Sequence, residues 1–475
     1  MEQTDHPEFS WRSLLIAVGL TVCVIVCVLW SAGLILIMLQ WDSLRDFVQE
    51  YVSVQNYYAG RPIYTPLREV LPGNLHENLP IEHNAHPPVA VLISLPLGVF
   101  SFYRAYLVWN IVSLAALGMS MRLIMRRDGL GFSGIALLPV LALLVTSNAL
   151  AHQLFQGQLN LALLLLITIG WAAARSGRLK LSGASLGLAA ALKLFPAFLL
   201  LYFAVRRQWR VVFTAAVTFA AANLMAGLVF GWRCFHTYVV EVMPNVGTFR
   251  DTWPNASLMG LWCKLFDAPS GHVEPLWQNP LCAQLAYFAS SAVVVALVAW
   301  KMRQAEGRRQ ADVAFALCTI GMLLVSPVVW DHYFLLLILP LAILWKAVGP
   351  SFGKRAVILS AICVLFTIQP RWVWDAVIPG DGEGISGIGK VSSVALPIHT
   401  LTVISMQLYM VLALFVLAYL QVKRIVIKDA DRSIGAEDAT PAQAELPVES
   451  REPIVLLGGE GGLLDSPSQP APSCE

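Results

Sequence analysis

Residues 183–205 read GASLGLAAALKLFPAFLLLYFAV, an apolar run that exceeds the roughly 20 residues a bilayer core demands of a helix. Two residues interrupt it. Lys193 places a charge mid-run, which costs about 2.5–3.5 kcal/mol on insertion scales and usually marks function. Pro196 lacks a backbone donor and disfavours helix for its predecessor. The run therefore predicts two half-helices meeting at a break. Basic residues flank both ends, Arg175 to Lys180 before it and Arg206 to Arg210 after it. Lys and Arg in short loops mark the cytoplasmic side, so both ends face inward and the break faces outward.

The rest of the chain repeats this character. Of 475 residues, 57% are hydrophobic and only 13% charged, with a net charge of +2 and a mean hydropathy of +0.66. Soluble domains carry about 25% charged residues, so lipid is the solvent that suits this sequence. A basic tract with interleaved aromatics, as nucleic-acid binding needs, is lacking. Apolar runs fall at approximately 13–39, 88–101, 103–125, 133–149, 159–174, 183–205, 211–231, 285–302, 311–329, 333–347, 355–371 and 398–421. These predict an all-α polytopic membrane protein of about 11–13 segments. The first run is too long for a signal-peptide core and lacks a small-residue cleavage site, so it reads as a retained first helix after a cytoplasmic stretch, 1–12.

Treating the basic clusters as cytoplasmic leaves loops 40–87, 150–158, 232–284, 330–332 and 372–397 outside, around a transmembrane domain of 13–421. Parity then asks whether 88–101, which opens on Pro87 and Pro88, spans or is re-entrant. The polar stretch 422–475 is expected to be a disordered cytoplasmic tail. Of eight cysteines, those in apolar runs read as small hydrophobes, whereas Cys234, Cys263 and Cys282 share one loop and leave a single disulfide open.

Unusual polar residues gather on the outer face of this arrangement. Asp46 follows the first run. Gln156, Gln158 and Asn160 lie at the 150–158 turn, Lys193 at the break, Asn255 in the large loop, and Asp331 and His332 at the last outer turn. The topology rests on Lys and Arg clusters that exclude these residues, so their convergence is independent of it. Each has a bland alternative. Lys193 can snorkel, Asp46 can cap a helix, Asp331 and His332 can form an interfacial pair, and Gln156-Gly157-Gln158 can close a turn in which glycine supplies the tight geometry. Asn255-Ala256-Ser257 also matches a glycosylation sequon.

A carboxylate, an ammonium and an imidazole at a membrane face suit one class of chemistry. The acid can take a proton from a hydroxyl nucleophile, and a fixed cation can hold a phosphate and stabilise its charge as it leaves. Nothing resembles a P-loop or a dinucleotide fingerprint, and the loops are too short for a nucleotide-binding domain. A lipid-linked phosphate donor answers both constraints.

Several stretches then resemble one family. DFVQEYVSVQNYYAGRPIY (Asp46 to Tyr64), HPPVAVLISLPLG (from His86), QGQLNLALLLL (from Gln156), GASLGLAAALKLFPAFLLLYF (from Gly183), NASLMG (from Asn255) and SPVVWDHYFLLLILP (from Ser326) are similar, in order, to the polyprenol-phosphate-mannose-dependent glycosyltransferases of family GT87 (DUF2029). The resemblance implies a GT-C-type fold and inverting transfer of a hexose, mannose foremost, from a polyprenyl-phosphate donor to an extracytoplasmic glycolipid or glycan hydroxyl at the cell membrane. It implies Asp46 as catalytic base, with Lys193 and His332 at the donor phosphate. Tyr64, Gln156, Gln158, Asn160, Asn255 and Asp331 are expected to contact substrate. Some GT-C enzymes use a divalent metal, Mg or Mn, but no ligand cluster in the sequence demands one. The chain departs from the family at Glu50-Tyr51, where two aromatics are common, and in its His- and Asn-rich stretch from His76 to His86. The alternative from another class is a polyprenyl-lipid or sugar transporter or flippase, since broken helices also mark transport sites. Against it stand the lack of an evident internal repeat and the gathering of polar groups at one face.

Overall fold

The computed structural model describes residues 11–39, 46–71, 83–126, 130–131, 143–348, 353–368, 370–378 and 394–437. Most of the expected span at 133–149 and of the loop 372–397 lies outside these residues. The chain divides into two compact units, Met1–Asp429 and Ala430–Glu475, and the first holds every candidate site residue.

Helices dominate, and among the described residues the only β-pairing is an isolated bridge between Val273 and Ala395. In chain order the principal helices are α1 (Trp11–Leu39), α2 (Phe47–Tyr58), α3 (Phe102–Met125), α4 (Asn148–Gln156), α5 (Asn160–Arg175), α6 (Leu179–Leu192), α7 (Trp209–Phe230), α8 (Leu258–Phe266), α9 (Pro280–Gln304), α10 (Gly307–Val325), α11 (Ile338–Val348), α12 (Lys354–Leu365) and α13 (Met406–Glu437). Helix α10 runs through the centre, with every residue from Val313 to Leu324 buried. The periphery is apolar and exposed: Leu29 on α1, Phe213 and Leu228 on α7, and Phe288 on α9 all face outward. An apolar rim around an apolar core is what lipid solvation selects.

Among the described residues four helical stretches suffice alone to cross a membrane, namely α3, α7, α9 and Asp331–Val348, and six if two bent pairs count as one span each. Several apolar runs are divided into shorter pieces by proline and glycine. Residues 88–101 form a helix, Pro88–Ser94, and a 3₁₀ turn, Leu95–Val99, too short to span. They pack on α2, whose Gln55 Nε2 and Tyr58 hydroxyl donate to the carbonyls of Gly98 and Leu95 at 3.0 and 3.1 Å.

The opening stretch breaks where expected. Pro196 cannot donate to the Leu192 carbonyl, so α6 ends at Leu192 and Lys193 adopts an extended conformation. The chain resumes as a 3₁₀ turn, Phe195–Leu199, and a short helix, Leu200–Val205. Before the break, Gly183 and Gly187 sit one turn apart against α7. A Cβ on Gly183 would lie 2.5 Å from the Val211 carbonyl oxygen, and one on Gly187 closer still to that of Ala215. Two glycines at this spacing let helices meet backbone to backbone, which holds α6, and so Lys193, rigidly.

Cys234, Cys263 and Cys282 are all free thiols. Cys234 and Cys263 are buried, and Cys234 packs among Val54, Tyr64 and Val242. Helix α13 extends to Glu437. Once nucleated, a helix adds each further residue at little cost. The tail beyond 437 lies outside the described residues.

Candidate active site

Asp46 stands at the N-terminus of α2 but makes no side-chain capping bond there. The following Phe47, 1% exposed, anchors the corner against Tyr106 and Trp109 of α3, with ring centroids at 5.8 and 6.5 Å. Behind Phe47 lies the turn between α4 and α5, which meet at 115°. Gly157 makes this turn with φ +68°, and a Cβ on it would fall 2.8 Å from Phe47 Cβ. Its carbonyl accepts from Trp109 Nε1 at 2.7 Å. Sequence therefore fixes the turn twice, through a left-handed backbone and through close approach.

The residues on either side of Gly157 hold Asp46. The Asp46 backbone N–H donates to Gln156 Oε1 at 3.0 Å, and Gln158 Nε2 donates to the Asp46 carboxylate at 2.6 Å. The other end of the Gln158 amide accepts from Lys193 Nζ at 3.1 Å. One amide thus joins the carboxylate and the ammonium. Lys193 Nζ also donates to the Tyr333 hydroxyl at 3.3 Å and lies 4.6 Å from the centre of that ring. Such a cation, 7% exposed, is held by groups that a phosphate can replace.

Tyr333 belongs to the corner Trp330–Tyr333, where a 3₁₀ helix, Asp331–Leu337, leads into α11. The Asp331 carboxylate accepts from its neighbour's backbone, His332 N–H, at 2.7 Å, and from the side-chain amide of Asn148. It also lies 2.9 Å from His152 Nδ1. His332 is buried, stacks near Trp330 and Tyr333, and its Nδ1 makes no hydrogen bond. His152, Asp331 and His332 bring their ligand atoms within 4.8 Å of one another, a set that the sequence, with its members far apart, does not disclose.

The structure brings Asp46, Gln156, Gln158, Lys193, Asp331 and His332 together at one place. Asn160 is buried behind them, its side-chain N–H donating to Gln153 Oε1 at 3.2 Å. Two other candidates are engaged elsewhere. The Tyr64 hydroxyl donates to the His86 carbonyl at 2.7 Å, and burial beside Tyr238 holds that phenol well above its usual pKa. Asn255, 2% exposed, donates to the carbonyls of Arg250 and Pro327 at 2.9 and 3.0 Å and accepts from Val329 N–H at 3.0 Å. It pins the loop to the extended approach to Asp331, and such burial does not suit a glycosylated amide. His152, Asn148 and Tyr333 escape sequence reasoning. A signal exists: Asn148, His152 and Gln156 recur every four residues and so share one face of α4. The His-rich stretch departing from the family pattern also finds a place, since His86 pairs with buried Glu50 and Asn84 donates to Ser53 on α2 at 3.1 Å.

The model of "Glycosyltransferase family 87" matches residues 84–327, just over half of the chain. The chain is 25% identical over 393 residues to the polyprenol-phosphate-mannose-dependent alpha-(1-2)-phosphatidylinositol mannoside mannosyltransferase of Mycobacterium tuberculosis, covering 79% of this chain and 88% of that protein. It is 27% identical over 360 residues to the polyprenol-phosphate-mannose-dependent alpha-(1-2)-phosphatidylinositol pentamannoside mannosyltransferase of Mycolicibacterium smegmatis, covering 72% of this chain and 82% of that protein.

Proposed function

The chain belongs to glycosyltransferase family 87, and we propose that it moves a mannosyl group from a polyprenyl-phosphate donor to a glycolipid or glycan hydroxyl. The reaction takes place on the extracytoplasmic side of the cell membrane. The match to an enzyme family supports sugar transfer over a flippase or transporter. The observation that carries the reading is the bridge from Asp46 through Gln158 to Lys193, at 2.6 and 3.1 Å. It sets a proton acceptor and a phosphate-binding cation one amide apart, as a single displacement requires. The names of the mycobacterial relatives support mannose, the lipid donor and a phosphatidylinositol-linked acceptor. The Lys and Arg asymmetry supports the outer face.

In the proposed reaction Asp46 takes the proton from the acceptor hydroxyl as that oxygen attacks the anomeric carbon. The bond to the phosphate oxygen breaks on the opposite side, so configuration inverts. Lys193 carries the charge that grows on the departing polyprenyl phosphate, with His332 beside it. Charge developing in a water-poor site is stabilised far more strongly there than in water.

The test is the purified protein supplied with polyprenyl-phosphate mannose and a panel of glycolipid acceptors. A positioned base contributes about 10²–10⁴-fold, so Asp46→Asn should lower kcat by at least about 100-fold with donor binding retained. Asp42→Asn and Glu50→Gln should keep most activity. A live Asp46→Asn enzyme alongside a dead Asp42→Asn or Glu50→Gln one would move the base to another acid.

A further inference from the structure

We propose that His152, Asp331 and His332 form a binding site for one first-row transition-metal dication beside the donor phosphate. This rests on the reading of Lys193 and His332 as phosphate-facing groups. The three residues come from α4 and from the corner before α11, and α4 is fixed by its Ser147 N-cap, whose hydroxyl accepts from Leu150 N–H at 3.2 Å. A dication about 2.1 Å from each ligand atom sets ligands apart by about 3.0 Å at right angles and about 3.4 Å at tetrahedral ones. His152 Nδ1 lies 2.9 Å from Asp331 and His332 Nδ1 3.5 Å from it, so two of the three separations are already those of a coordination shell. The His332 Nδ1 atom is the second sign, since it is buried on a residue 4% exposed and its contact to Asp331 Oδ1, at 3.5 Å, is too long for a good hydrogen bond. Burying a nitrogen on so long a contact is costly, and a metal ion between the two groups would satisfy both. His152 is 41% exposed at its side chain, which leaves a way in.

Charge points in the same direction. Two carboxylates, Asp46 and Asp331, face one ammonium, Lys193, so with neutral imidazoles the site is net negative before an anionic donor arrives. A dication reverses that sign. Two imidazoles and one carboxylate suit Mn²⁺ or Zn²⁺ and not the oxygen-seeking Mg²⁺. Asn148, donating to the far side of the Asp331 carboxylate, would orient that ligand. The rival occupant is a proton on His152, paired to Asp331 with no metal at all.

The experiment uses the full chain in detergent, stripped with chelator, desalted, and titrated with Mn²⁺ followed by electron paramagnetic resonance and with Zn²⁺ by elemental analysis. About one ion per chain is expected, with His152→Ala, His332→Ala and Asp331→Asn each weakening binding at least about tenfold. His236→Ala, at an exposed position, should bind as wild type, and melting curves identify any variant that fails to fold, for which His152→Gln and His332→Gln substitute. Absence of binding up to about 1 mM, or binding untouched by all three substitutions, overturns the inference. Sugar transfer is measured on the same samples. Transfer by protein that binds no ion defeats the metal site and spares the transferase reading, whereas an ion bound by these residues without any transfer does the reverse.

Discussion

Lys193 and Lys264 are both almost wholly buried, at 7% and 1% exposure, yet their ammonium groups rest on different kinds of oxygen. Lys193 Nζ donates to a side-chain amide and a phenol. Lys264 Nζ donates to two main-chain carbonyls, those of Trp253 and Asn255, at 3.1 and 2.9 Å. Side-chain acceptors can rotate away when a substrate anion arrives, whereas carbonyls of a folded loop cannot move without unfolding it. The first lysine therefore has partners that a substrate could displace, as the proposed reaction asks, and the second is a peg that holds the 253–257 loop against the approach to Asp331. Burial alone, which both share, does not distinguish a reactive cation from a structural one. The kind of partner does.

The comparison breaks most visibly in activity. Lys193→Ala should lower kcat/KM by about 100-fold or more, the usual effect of removing one donor to developing charge, while the melting temperature stays near that of wild type. Lys193→Arg should recover part of the loss, because Arg differs in shape and hydration. Wild-type kinetics at low donor concentration in Lys193→Ala would reduce this residue to a snorkelling lysine.

Lys264→Met should show the opposite pattern. Two buried carbonyls lose their donor, at about 1–3 kcal/mol each when left unsatisfied, so thermal or detergent-denaturation midpoints should fall while the folded fraction keeps its turnover. An unchanged midpoint with lost turnover would move Lys264 into the active site and erase the distinction.

The smallest effect is a pH slope. Desolvation pushes the Lys264 ammonium down to about 7, against an ordinary value of about 10.4. Between those values the unfolded chain holds a proton that the folded chain has released, so stability rises with pH across that window, by at most about 1.4 kcal/mol per unit. It is present in full above the unfolded value and lost as pH falls towards 7. Denaturation midpoints at pH 7 and pH 9 should therefore diverge more in wild type than in Lys264→Met. Parallel shifts would mean that the lysine stays charged throughout.

How much of this is written in the sequence differs from residue to residue. Asp46, Gln158 and Lys193 are legible because each is a polar group where hydrophobic pattern forbids one, and topology alone aligns them. The break at Lys193 is legible because Pro196 leaves no other local solution. Asn255 is ambiguous in sequence, since its short polar motif looks the same whether the amide faces a substrate or the backbone at 327–329, and only tertiary packing brings that backbone near. His152 is easily passed over because its partner, Asp331, is remote in the chain. Hydropathy measures a run's composition and is blind to how 88–101 divides into a short helix and a 3₁₀ turn. Gly183 and Gly187 look ordinary as letters, and their role appears only when α7 is set against them.

The Gln158 amide has one further consequence. Asp46 and Lys193 carry opposite charges in a place sheltered from water, and if nothing kept them apart they would clasp each other directly. That idle state would be deep, and both reactants would have to pry it open. On the proposed reaction, the neutral amide between them is a placeholder for two molecules: its oxygen offers Lys193 what a phosphate oxygen would offer, and its N–H offers Asp46 what a hydroxyl would offer. In that reaction, substrates displace two separate bonds to an amide instead of a locked ion pair.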